Sequence, residues 1–174
     1  MLRIAALFGL LALAACGRGS YSVDATGPAR ADYSPSEKLR VMLPPAGSQG
    51  DEGGRLIAGR IVQVLQQTHA DVQLLPTADA TAALADARAA NAAFLVEPSI
   101  TAWSEGHAPP FTADQLGVRL QLVNVASGAV VRSVTYDNES SLFTISDAPP
   151  QTLLDSRFDD AVRALVGSKT SDGR

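Results

Sequence analysis

The chain carries one thiol and two imidazoles, and few of its reactive groups stand where chemistry could use them. Cys16 is the only cysteine and directly follows Leu13-Ala14-Ala15. With no second thiol an internal disulfide is excluded, which leaves attack on an electrophile, or acylation, as its chemistry. Glu97 interrupts the apolar strand-like run AFLVEPSITA. A buried carboxyl there would rise in pKa and could serve as an acid. It has no neighbouring base, partner carboxylate or metal set, so an outward strand position is expected. His69 and His107 have no second ligand at metal spacing, and no G-x-S-x-G occurs. No catalytic residue and no metal ligand is expected. The glycines of GSQGDEGG (47–54) lie between a strand and a helix, where phosphates are often cradled. Their spacing fits neither phosphate-binding pattern, and Asp51 and Glu52 would repel the phosphate. A flexible turn is expected instead.

The surroundings of Cys16 give it a role. Met1-Leu2-Arg3 supplies one positive charge, Ile4 to Ala15 is apolar or small, and small residues precede the cysteine. A basic start, a short apolar run and a small-residue end form a secretory signal. About a dozen apolar residues fall short of the roughly 17–25 that span a bilayer. Leu13-Ala14-Ala15-Cys16 is similar to a bacterial lipobox, in which the cysteine sulfur takes a diacylglycerol and the signal is cut just before it. The expectation is a leader over 1–15 and an anchor at Cys16 consisting of covalent diacylglycerol and an N-linked, palmitate-type acyl chain, with no other cofactor. One acyl chain anchors only marginally, whereas two or three make detachment negligible. Gly17 is not the aspartate that retains such lipoproteins in the inner membrane. This points to the periplasmic face of the outer membrane.

Removing the leader from 174 residues leaves 159, enough for one domain with a real core. Loss of Arg3 takes the formal charge from −4 to −5, and Lys38 and Lys169 are the only lysines. Nucleic-acid binding finds no support in that balance. Residues 16–36 mix Gly, Ser and Pro without apolar periodicity and read as the lipidated cysteine and a flexible tether with a reach of about 25 Å. One globular domain is expected over 37–167, and a disordered tail over 168–174.

Within the domain, Leu39–Leu43 reads as a strand ended by Pro44-Pro45. Ile57, Ile61, Val64 and Leu65 fall at i, i+4, i+7 and i+8 and form one helix face. Asp71–Leu75 is a second strand. Asp79 can cap an Ala-rich helix with the stripe Ala80, Leu84, Ala87 and Asn91. Ala93–Ala102 is a strand whose Pro98 implies an edge or a bulge. Leu116, Val118, Leu120 and Leu122 alternate with Arg119 and Gln121, and Ala126-Ser127-Gly128 turns into a partner strand over 129–136. Pro149-Pro150 would open a last helix with Leu154, Phe158, Val162 and Leu165 buried and an Asp159–Arg163 surface pair. The order β-α-β-α-β-β-β-α predicts an α/β (α+β-like) mixed sheet with helices packed on it.

Three segments carry a family resemblance: FLVEPSITAWSE (94–105), LGVRLQLVNVASGAVV (116–131) and SSLFTISDAPPQTLL (140–154). They resemble proteobacterial lipoproteins with the domain of unknown function 4823, through Pro98, Ile100 and Trp103, then Val118 to Leu122, then Asp147, Pro150, Gln151, Leu153 and Leu154. The element order also resembles envelope lipoproteins of the curli-secretion and penicillin-binding-protein-activator kind. Those are non-enzymatic domains that bind other proteins. The resemblance therefore implies a lipid-anchored, non-enzymatic protein that binds or supports an envelope protein or assembly. Trp103, Phe111 and Glu97 are its candidate interaction surface. The alternative is a carrier or sensor of a small or lipidic ligand in an apolar cleft lined by Trp103 and Phe111.

Overall fold

Alternation of apolar and polar residues over two ten-residue strands organises this protein. In the computed structural model, which describes residues 19–24, 34–47, 50–104, 114–140 and 150–167, strand β5 (Gln115–Asn124) and strand β6 (Val130–Glu139) form a long antiparallel hairpin. Leu116, Val118, Leu120 and Leu122 are fully buried, as the alternation requires, and Arg119 is exposed. Gly128 closes the turn with φ +70°, a left-handed conformation that glycine adopts without steric cost.

The remaining strands extend this hairpin to both sides. Strand β4 (Phe94–Ser104) pairs antiparallel with β5. Beyond it β2 (Lys38–Val41) and β3 (Asp71–Leu74) pair in parallel. At the opposite edge β1 (Ser20–Asp24) pairs antiparallel with β6, giving the order β1-β6-β5-β4-β2-β3. The single mixed sheet with packed helices is the expected class. Its first strand is a correction: β1 lies inside the segment read as a flexible tether. The Gly- and Pro-containing surroundings hid its alternation, in which Tyr21 packs on the core while Ser20 and Ser22 are exposed.

Helices α1 (Gly50–Leu65) and α3 (Ser156–Leu165) cover one sheet face. Ile57, Ile61, Val64 and Leu65 are all buried, as their spacing predicts. The last helix differs from expectation. Pro150–Leu153 is a short 3₁₀ turn, and α3 starts only at Ser156, where the Asp155 carboxylate accepts the backbone N–H groups of Arg157 and Phe158. The expected Asp159–Arg163 pair is also replaced. Asp159, 9 % exposed, accepts from Arg60 of α1 at 2.8 and 2.6 Å, while Arg163 bonds Asp160. A nearly buried carboxylate needs a charged, bidentate partner, and the neighbouring helix supplies one.

The short helix α2 (Ala80–Ala89) covers part of the other face, capped by Asp79, whose carboxylate accepts from Ala82 N at 2.7 Å. Its buried positions are Ala83 and Ala87, with Leu84 half-buried; Ala80 and Asn91, expected in the stripe, are exposed. Asn91 instead ends the helical segment at φ 51°. Among the described residues no helix is long and apolar enough to cross a membrane.

One polar knot ties the core together. The Tyr136 hydroxyl donates to the Leu153 carbonyl at 2.5 Å and lies 3.0 Å from Asp155 Oδ1. Asn138 Nδ2 donates to the Tyr136 hydroxyl and to Leu153 O at 2.9 and 2.8 Å. Removing the hydroxyl deletes its bonds to Leu153 O and Asp155, although Leu153 O keeps Asn138 Nδ2 and the Asp155 N–H, and Asp155 Oδ1 keeps the two N–H groups of α3. Tyr136→Phe is expected to lower the unfolding free energy by about 1–3 kcal/mol, measured by urea titration. A loss below about 0.5 kcal/mol would show that water replaces the bond.

Candidate interaction surface

Register decides which residues share a face. Across four strands, Glu97, Gln121, Ser133 and Asp24 form one rung, and Ser99, Arg119, Thr135 and Ser22 form the next. Ala102, Gly117, Asp137 and Ser20 form a third. All three rungs lie on the face opposite α1 and α3. The alternate rungs, such as Pro98, Leu120 and Val134, point into the core. α2 reaches only the end of this second face, packing Ala83 and Ala87 with Met42, Leu95, Val123 and Val125. The rest is a polar surface over which no described helix lies. Arg119 folds across it and donates from Nε to Ser133 Oγ at 3.2 Å, which buries the serine.

Glu97 stands on this surface, half-buried, with no hydrogen-bond partner among the described residues. Burial pushes its carboxyl above its ordinary pKa. Trp103 lies elsewhere. It pairs in register with Leu116 and packs half-buried against the core, on the face opposite Glu97. The two candidate surface residues are therefore separated by the sheet itself. Phe111 and Cys16 lie outside the described residues, as do His107 and Asp147.

Pro98 produces both of its expected consequences. β4 is an interior strand, but β2 pairs with it only as far as Val96. From Pro98 onward β4 has β5 on one side and no described strand on the other. Met42 N donates to Val96 O, so the backbone of Pro98, two residues on, faces the side where β2 has ended and no N–H is required. A bulge follows between Ile100 and Ala102. Opposite it, a Cβ on Gly117 would lie 2.5 Å from Thr101 Oγ1 and 3.1 Å from the Ala102 backbone. Where the sheet closes on this glycine there is a cleft of about 410 Å³ lined by Ser20, Ala102, Gln115, Leu116, Asp137, Asn138 and Glu139. Its rim is polar and acidic, unlike the apolar cleft that a lipid carrier would need.

Two other candidates resolve plainly. A smaller cleft of about 210 Å³ adjoins the start of α1, and Asp51 lines it, which disfavours phosphate there. His69 is buried beside Thr68 Oγ1 at 2.9 Å, its Nε2 has no partner among the described residues, and burial lowers its pKa. Among the described residues no three His, Cys, Asp or Glu side chains gather at metal-binding distance.

Sequence reasoning missed Gly117, Arg119 and β1 as parts of this surface. The signal for Arg119 and Gly117 was their phase in the alternation of β5; for β1 it was the five-residue alternation SYSVD.

The fold is a small mixed-sheet domain with one polar sheet face over which no described helix lies. No protein-family model matches the chain, and no curated protein matches it in sequence. Its fold is similar to that of PelC from Paraburkholderia phytofirmans, a dodecamer in two crystal forms. One form has a TM-score of 0.65 at 19 % identity, covering 88 % of this chain and 99 % of that one. The other has 0.63 at 20 %, covering 83 % and 97 %. A protein of the domain of unknown function 330 from Xanthomonas campestris matches with a TM-score of 0.50 at 12 % identity, over 76 % and 83 %. At these identities the likeness is one of fold.

Two outcomes test the site geometry. Gly117→Ala is expected to cost about 1–3 kcal/mol, read as a lowered urea midpoint with unchanged slope; an unchanged midpoint would mean the bulge is not packed against β5. For Glu97, the raised pKa means the folded state takes up a proton before the unfolded state does. Wild type thus gains stability as pH falls through the folded pKa, and at neutral pH carries an unfavourable charge. Glu97→Gln should melt higher than wild type at pH 8, with the gap shrinking as the pH falls through the raised pKa of the folded state. A gap that stays constant or widens on acidification would contradict burial of this carboxylate.

Proposed function

We propose that this protein is a lipid-anchored, non-enzymatic lipoprotein of the cell envelope, held by Cys16 at the periplasmic face of the outer membrane, that binds or supports an envelope protein assembly. The observation that carries the assembly part of the reading is the fold it shares with PelC, a dodecamer, over 88 % of this chain and 99 % of that one. The Leu13-Ala14-Ala15-Cys16 motif and the resemblance to lipoproteins of the domain of unknown function 4823 support the anchor and the compartment.

The surface chemistry agrees with a binding role. A broad sheet face carries Arg119, Ser99, Thr135 and Gln121 in register, with side chains able to hydrogen-bond a protein partner. Beyond Pro98 and along β1 the sheet leaves backbone groups unpaired among the described strands, which suits strand addition. Because PelC is a dodecamer, further copies of this chain are the first partner to test. The carrier alternative is not favoured, since Trp103 packs on the core and the cleft at that end has a polar, acidic rim.

In-cell crosslinking of the tagged wild type beside Cys16→Ala, with mass spectrometry of captured proteins, tests this. The expected result is one dominant adduct, a self-ladder or a single envelope protein, reduced at least tenfold when the anchor is removed. Diffuse neighbours in both strains, with an efficient crosslinker, would overturn the binding role.

A further inference from the structure

The start of the described chain is sewn into the fold, and this has a consequence for any anchor placed upstream. Gly19 is buried, its N–H donates to Asp155 Oδ2 at 3.3 Å, and a Cβ added to it would strike the Tyr136 ring at 2.7 Å. From Ser20 to Asp24 every residue is in register with β6. Only Gly17 and Arg18 separate Cys16 from this fixed point. At about 3.3–3.6 Å per residue, three steps keep the Cys16 Cα within about 11 Å of the Gly19 Cα even when fully extended.

We propose that the acyl anchor holds the domain directly against the bilayer by the Ser20 end of its sheet, with the β4–β5–β6 blade standing away from the membrane and the 126–128 turn at its far tip. This rests on the lipidation of Cys16 proposed above. β1 runs antiparallel to β6, so the Ser20 end is also the end where β6 finishes at Glu139, β4 finishes at Ser104 and β5 begins at Gln115. β6 spans ten residues, which places the turn about 30 Å from that end.

The occupant of this end is the lipid headgroup layer. The short linking chain brings Gly19 close to the lipid on Cys16, and the chemistry of the described residues fits. Among the described residues of this end, Ser20, Ser104, Gln115, Asp137 and Glu139 are exposed and polar, able to meet hydrated headgroups but not hydrocarbon. Their acidic balance favours a zwitterionic surface over an anionic one. In this orientation the polar sheet face and the β1 edge look sideways, along the membrane plane.

The test uses the full-length acylated protein in phosphatidylcholine vesicles containing a lipid with a headgroup nitroxide. Acylation consumes Cys16, so a single introduced cysteine is the only thiol to label. Glu139→Cys and Ala126→Cys, both at exposed positions, are labelled with a small fluorophore, with Gln115→Cys as a second site at the proximal end. Quenching at 139 and 115 is expected to exceed that at 126 at least threefold, and about twelve Gly/Ser residues inserted between Arg18 and Gly19 should abolish the contrast. Equal quenching at all sites in protein that floats with the vesicles would overturn the orientation while leaving lipidation intact. Failure of wild type to float where it should exceed Cys16→Ala would overturn the anchor, and the orientation with it.

Discussion

The Tyr136 hydroxyl is the point on which the rest of the structure converges. Its ring is fully buried and meets Phe158 edge-on, with centroids 5.2 Å apart at 78°. A phenol so placed must satisfy its oxygen, because an unpaired buried polar group costs roughly 1–3 kcal/mol. It does so with Leu153 O, Asp155 and Asn138. Burial first, and the Asp155 charge next, raise its pKa, so it stays a donor at any physiological pH. Asp155 simultaneously caps α3 and holds Gly19. One knot therefore connects the last helix, the 3₁₀ turn before it, the centre of β6 and the entry into β1.

From that knot the two faces of the sheet follow different rules. The face toward α1 and α3 is filled by Leu, Val and Ile and sealed at its rim by the Arg60–Asp159 pair. The other face is apolar only beneath α2, whose alanines permit close approach, and becomes polar where that short helix ends. A helix of ten residues is about 15 Å long, too short to cover strands that run about 30 Å. The open polar area is thus a geometric result of unequal element lengths. The longest strands project past β2 and β3, and in that projection lie the bulge, Gly117 and the acidic cleft.

This arrangement gives the proposed envelope role a physical form. The core, the knot and β1 make one block, while the polar groups that could hydrogen-bond a partner lie on one face and on strand backbone unpaired among the described strands. In the proposed role such a block would be held in place and present that face to a partner.

Much of the fold was legible because burial imposes period on neighbours in the chain. The α1 face, the alternation of β5 and the turn at Gly128 are set by residues a few positions apart, and each stands where its spacing put it. The Leu13-Ala14-Ala15-Cys16 pattern, on which the proposed anchor rests, is likewise one of contiguous residues. What local pattern could not specify was pairing across the chain. β1 is a strand because the free edge of β6 accepts it, and Gly19 is held by a carboxylate 136 residues away. Asp159 passes over Arg163, one turn away on its own helix, for Arg60, 99 residues distant, because packing α3 on α1 nearly buries that carboxylate. Glu97 and Trp103, six residues apart, fall on opposite faces because the bulge between Ile100 and Ala102 shifts the phase of β4. The sequence by itself determined those helices and strands whose apolar period is set by near neighbours, and it supplied the Cys16 motif on which the proposed anchor rests. Only the tertiary structure decided which edges meet, because pairing energy depends on the neighbour a strand finds rather than on the residues beside it.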